Sequence, residues 1–148
     1  GYVDAPGFAH VIFNDHGIAV PETYNLTFPV AIQGFKKANI SWSKLRYARS
    51  FFQLPLTTHE GTSNPHVDIP GEDHWVCLYY VNDSDGETVF FDKYNEHPND
   101  TLYHKEYSII KKVKPEQGKA VIFNGRIYHA NNLPRNNPRF ILNFNVQE

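Results

Sequence analysis

The chain has 148 residues, enough for one domain around one core, and 41% hydrophobic with 20% charged residues is the balance of an ordinary globular fold. A net charge of −2 leaves no electrostatic footprint for nucleic acid or an acidic membrane face, and no apolar run approaches the roughly 18 residues of a membrane span. Cys77 is the single cysteine, so an internal disulfide is excluded; with no basic-then-apolar leader in residues 1–7, a reducing cytoplasm is the expected compartment.

Aromatic residues reach 15%, which favours pleated, half-buried surfaces and a β-rich fold. Residues 1–44 are the least legible. Asn14-Asp15-His16-Gly17 reads as a turn. Residues 32–39 read as a short helix with Phe35 and Ala38 on one side. Methionine is absent, including at position 1, which gives the expectation of a processed or trimmed piece of a longer chain. Four Asn-x-Ser/Thr triplets, at Asn25, Asn39, Asn82 and Asn99, read as incidental in an Asn-rich chain without a secretion signal.

From Leu45 onward the pattern is strand-like. Residues 45–56 are apolar and aromatic up to Pro55, and residues 57–64 form a polar loop. Residues 74–81 (HWVCLYYV) predict a buried strand. The turn Asn82-Asp83-Ser84-Asp85-Gly86 then predicts a hairpin with a second strand at 88–91. Strands follow at 107–113, at 119–123 after a Pro-Glu-Gln-Gly turn, at 126–130 after Asn124-Gly125, and at 139–146 after an Asn- and Pro-rich loop. Short strands with Gly, Pro and Asn turns predict an all-β fold with minor helix, best drawn as a jelly-roll barrel. The expected organisation is one domain over 1–148, with the jelly-roll core at 45–148 and a less defined portion at 1–44. No internal repeat, low-complexity stretch or linker divides it.

The chemistry concentrates in three places. His66-Val67-Asp68 puts an imidazole and a carboxylate two residues apart, on one face of an extended segment, where both can reach one divalent ion. His129, on the strand at 126–130, would complete two imidazoles and one carboxylate, the facial triad of non-haem Fe(II) oxygenases. A Cys-based zinc site is excluded, because Cys77 sits inside an apolar strand. Arg139, ten residues after His129, offers a planar fork for a carboxylate. Each has a plainer reading: a surface His and a turn Asp between Pro65 and Pro70, a hydrogen-bonded sheet His, and a surface Arg after Pro138.

In this order the pieces resemble the prolyl-hydroxylase-like branch of the Fe(II)/2-oxoglutarate-dependent dioxygenases. The matching stretches are His66-x-Asp68, Tyr79-Tyr80-Val81-Asn82, the segments 85–90 and 115–123, His129 and Arg139, spanning Gln53 to Val146. The resemblance implies a double-stranded β-helix, with Fe(II) held by His66, Asp68 and His129 as the catalytic centre. It implies 2-oxoglutarate as co-substrate with its 5-carboxylate on Arg139, O₂ as oxidant, and ascorbate as an accessory reductant. Tyr80 becomes a hydrogen-bond donor to the 5-carboxylate. Gln53 stands where many relatives carry a Tyr near the keto acid. The carboxylate at Asp68, where halogenating relatives carry a small residue, implies hydroxylation.

The expected partner is an unidentified small-molecule or peptidyl substrate, with loops 57–64 and 94–102 as the rim and no nucleic acid or membrane partner. Oligomeric state is not legible. Two other functions compete: a cupin-like metal protein, an isomerase or sensor without 2-oxoglutarate chemistry, and a non-catalytic β-sandwich module.

Overall fold

A computed structural model describes residues 6–58, 60–100 and 107–148. Position 59 of one expected rim loop and 101–102 of the other lie outside the described residues. Among the described residues, nine strands and one helix follow in chain order: β1 (Gly7–Asn14), β2 (Gly17–Ile18), α1 (Pro21–Lys37), β3 (Lys44–Gln53), β4 (Trp75–Tyr80), β5 (Thr88–Tyr94), β6 (Ile109–Val113), β7 (Ala120–Asn124), β8 (Ile127–Asn131) and β9 (Arg139–Gln147). Six strands form a sheet in the order β2-β1-β3-β9-β4-β7, and three form a second sheet in the order β6-β5-β8. All the pairings are antiparallel.

The large sheet is covered on both faces, which is why β4 reads as an unbroken apolar run. Towards α1, Ala48, Cys77, Leu142, Phe144 and Val146 pack with Ala31 and Phe35 of the helix. Towards the small sheet, Leu78, Tyr80 and Ile141 pack with Phe90 and Val113. The alternation of side chains along β4 and β9 assigns successive residues to these two layers.

The helix is longer than the expected segment at 32–39 and starts earlier, at Pro21. Pro29 lies inside it and reads locally as a breaker. Both Pro29 and Asn25, whose carbonyl loses its amide partner, face solvent, so the freed oxygen stays hydrated. Thr27, Ala31 and Phe35, four residues apart, form the buried stripe. Ala38, expected to share the apolar side with Phe35, is the exposed C-cap. Gly34 lets the helix approach β4: a Cβ there would stand 3.0 Å from Cys77 Sγ.

The expected hairpin at 74–91 does not form. β4 is paired on both edges, by β7 and β9, while β5 pairs with β6 and β8. The turn instead carries the chain across from one sheet to the other. Ser84 anchors it, accepting from Gly86 N at 3.1 Å and donating to the Asn137 carbonyl at 3.1 Å. The turn at Asn124-Gly125 makes the same crossing between β7 and β8. Two antiparallel sheets joined by such crossings make up the double-stranded β-helix.

Candidate active site

The segment before β4 adds a short rung to the small sheet. His66 N donates to the His129 carbonyl at 2.9 Å, and His129 N returns the bond to His66 O at 3.0 Å. Val67 turns away into the cluster of Val89, Phe91, Tyr128 and Ala130. The neighbours His66 and Asp68 therefore point to the opposite side, as a period of two requires.

There they meet His129. Asp68 Oδ1 lies 3.7 Å from His66 Nε2 and 3.7 Å from His129 Nε2, and one ligand atom from each residue falls within 4.8 Å of the others. A single divalent ion can bridge such a set. The ring orientations favour it. His66 Nδ1 donates to the Asn64 carbonyl at 2.9 Å and His129 Nδ1 to the Ile127 carbonyl at 3.1 Å, so both Nε2 lone pairs face the gap. The second oxygen of Asp68 accepts from Asn143 Nδ2 at 2.9 Å, which leaves Oδ1 free to ligate.

Electrostatics set the protonation states a cation needs. Burial alone would raise the Asp68 carboxyl, but His129, His66, the Asn143 hydrogen bond and Arg49 outweigh it and hold it down at about 2. Burial, reinforced by the neighbouring His66, pushes His129 down to about 4 against the pull of Asp68. At neutral pH the pair is a carboxylate and a neutral imidazole.

His66 and His129, together with Asn143, line a cavity of about 370 Å³ between the sheets. Arg139 is 3% exposed, and its guanidinium donates to Gln53 Oε1 at 3.1 Å and to Thr88 Oγ1 at 3.0 Å. Tyr80 OH bonds to the same Thr88 hydroxyl at 2.7 Å, and its ring lies beside the guanidinium at 5.8 Å. Burial raises the Tyr80 phenol, so it stays protonated and able to donate. Burial also lowers Arg139, to about 10, which still leaves a cation at neutral pH. Its Nε has no hydrogen-bond partner, and among the described residues it makes no ion pair. A buried cation without a counter-charge is costly, and a carboxylate entering the cavity would relieve it.

The expected residues thus fall into two groups, with His66 and His129 of one and Arg139 and Gln53 of the other lining the same cavity. His66, Asp68 and His129 stand together, and Arg139, Tyr80 and Gln53 form a second cluster. Gln53 differs in detail from its expected part: its carbonyl supports Arg139, and its amide reaches Asn131 Oδ1 at 3.4 Å. Asn143, Thr88 and Arg49 were not singled out from the sequence. For Asn143 a signal existed: in RFILNFNV the polar residues Arg139, Asn143 and Asn145 fall on one face of the strand.

Residues 52–147 match the sequence model of the 2OG-Fe(II) oxygenase superfamily. No match is found among curated proteins. Solved structures share the fold. An oxidoreductase of the 2OG-Fe(II) oxygenase family from Burkholderia pseudomallei aligns with a TM-score of 0.65 at 13% identity, over 95% of this chain and 68% of its own. A prolyl-4-hydroxylase from Pseudomonas putida gives 0.56 at 13% identity, over 97% and 70%. A prolyl hydroxylase from Trichoplax adhaerens, in complex with a hypoxia inducible factor oxygen degradation domain peptide fragment, gives 0.57 at 14% identity, over 97% and 63%. The chain spans about two-thirds of the length of each. With well over half of its length matching the family's sequence pattern, the chain belongs to the 2OG-Fe(II) oxygenase superfamily and is a 2-oxoglutarate-dependent dioxygenase.

Proposed function

We propose that His66, Asp68 and His129 hold the Fe(II) and that Arg139 takes the 5-carboxylate of 2-oxoglutarate, for the hydroxylation of a small-molecule or peptidyl substrate with release of succinate and CO₂. One observation carries the reading: the two imidazoles of a two-histidine, one-carboxylate cluster and a buried guanidinium without a counter-charge line the same cavity. When bound, Fe(II) and 2-oxoglutarate supply the O₂ activation, coupled to oxidative decarboxylation, that oxidises a substrate C–H bond.

The chain's own residues have defined tasks in this scheme. The Asn64 and Ile127 carbonyls fix the two imidazole tautomers, and Asn143 fixes the carboxylate. Thr88 and Gln53 hold the Arg139 fork in place, with Tyr80 supplying a further donor to the incoming carboxylate. Phe90 and Phe123 pack around His129, with ring centroids 6.3 Å and 5.0 Å away, and exclude water from that ligand. The cupin-like alternative gives no reason for a buried arginine without a counter-charge and is not favoured.

The test is direct. Purified protein supplied with Fe(II), ascorbate and 2-oxoglutarate should form succinate slowly without substrate. Asp68→Ala should abolish both iron binding and succinate formation. Arg139→Ala should keep iron but weaken 2-oxoglutarate about a hundredfold, the scale of losing one partner of a buried charge pair. Wild-type protein that binds neither iron nor 2-oxoglutarate would sink the reading.

A further inference from the structure

The chain has five arginines, Arg46, Arg49, Arg126, Arg135 and Arg139. Three are paired with carboxylates: Arg46 with Glu72, Arg126 with Asp73 and Arg135 with Glu60. Among the described residues the other two form no ion pair, and they are the two that line the cavity. Arg139 has a task in the scheme above. Arg49 has none.

The register of β3 against β9 separates their positions. Gln53 stands opposite Arg139, and Arg49 stands opposite Asn143. Asn143 is the residue bonded to Asp68, so Arg49 belongs to the metal end of the cavity and Arg139 to the far end. Four residues along an extended strand put their rungs about 13 Å apart. Arg49 is also held in place. Its guanidinium carbon lies 5.9 Å from the Tyr47 ring centroid and 5.6 Å from that of Phe51, on either side of it along the same strand face. Its Nε is buried with no hydrogen-bond partner among the described residues.

Charge completes the argument. A divalent ion, Asp68 and the two guanidiniums carry a surplus of three positive charges, and among the described residues no Asp or Glu lines the cavity itself. The co-substrate dianion removes two. One positive charge is left over in a partly desolvated site, where an uncompensated charge is costly.

We infer that Arg49 is a second anion subsite, next to the metal, and that the substrate presents a carboxylate to it. This rests on the iron and 2-oxoglutarate reading of the same cavity. A single leftover charge calls for a monoanion, and the planar fork suits a carboxylate bidentately. The carboxylate belongs either to a free acid or to the end of a peptide, and the two sources can be told apart by the probe.

The experiment uses protein loaded with Mn(II) and 2-oxoglutarate, without turnover. Probes are N-acetylglycine against N-acetylglycinamide, and N-acetyl-trialanine with a free against an amidated C-terminus. Affinity and approach to the metal are read from Mn(II)-induced broadening of the probes' NMR signals. At least one acid should broaden and bind about tenfold tighter than its amide, and which acid does so names the source. Arg49→Gln should bring that acid to the level of its amide, and Arg49→Lys should keep part of the preference. In both variants Mn(II) and 2-oxoglutarate affinities should fall by no more than about twofold from wild type. Equal binding of acid and amide in both pairs overturns the inference. So does an Arg49→Gln protein that loses Mn(II) or 2-oxoglutarate as strongly as it loses the acid, since Arg49 would then serve those groups. Wild-type protein that takes up neither Mn(II) nor 2-oxoglutarate, before any probe is added, fails the underlying reading and removes the ground of this one.

Discussion

The two faces of β9 run along one backbone and do opposite work. Towards α1, Leu142, Phe144 and Val146 are apolar and sealed against the helix. Towards the small sheet, Arg139, Asn143 and Asn145 are polar, buried and only partly satisfied: among the described residues Arg139 Nε and Asn145 Oδ1 have no hydrogen-bond partner. Buried apolar groups stabilise the fold in proportion to the area they hide, whereas buried polar groups cost stability unless every donor and acceptor is matched. The helix-facing layer therefore carries the stability. It lets the cavity-facing layer hold charges and open hydrogen-bond positions for ligands.

The comparison breaks most visibly at Phe144, which is fully buried in the helix-facing layer. Phe144→Ala should cost about 3–5 kcal/mol in urea or thermal unfolding. Below its melting range the same variant should bind Mn(II) and 2-oxoglutarate as wild type does. A loss of metal affinity equal to that of a cavity variant would show that the two faces are not separable.

Asn143 tests the other face. Asn143→Ala removes the hydrogen bond to Asp68 Oδ2. Metal affinity should fall about tenfold to a hundredfold, as for other groups that orient a ligand. The melting temperature without metal should move far less than for Phe144→Ala. Asn143→Asp should not rescue binding, because a second carboxylate cannot donate to the first.

The smallest effect is a dependence on pH that belongs to the cavity side alone. His129 has its folded value lowered from 6.5 to about 4, so the unfolded chain binds the proton more readily. Without metal, stability should fall as pH drops from 6.5 towards 4, by at most about 1.4 kcal/mol per unit. Asp68, lowered from 3.8 to about 2, adds a second loss in the same direction between those values. Urea midpoints at pH 7 and pH 5 should differ in wild type and in Phe144→Ala alike. His129→Gln should flatten that difference.

Parts of this architecture were legible in the chain because they depend on local periodicity. The run at 74–81 signals a strand covered on both sides, and His66-x-Asp68 places two side chains on one face wherever the segment is extended. The expected helix at 32–39 misses the first half of the real one, where Pro29 is locally a breaker; the burial of Thr27, Ala31 and Phe35 makes its cost tolerable. The expected hairpin at 74–91 failed for a related reason. A turn and two flanking apolar segments do not say whether the second strand pairs with the first or crosses to another sheet. That is decided by β7 and β9, which arrive from far along the chain and take both edges of β4.

The sequence by itself determined the β-rich class, the spacing of His66 and Asp68, and the chemical types available to a metal and a dicarboxylate, because these follow from residue identity and from the two-residue period of a strand. Only the tertiary structure decided that Asn143 reaches Asp68, that Thr88 and Gln53 brace Arg139, and that Arg49 stands at the metal end with no ion pair among the described residues. Those facts depend on contacts between strands up to about ninety residues apart. Such partners are chosen by strand order and register, which the burial of the whole sheet selects and no local pattern encodes.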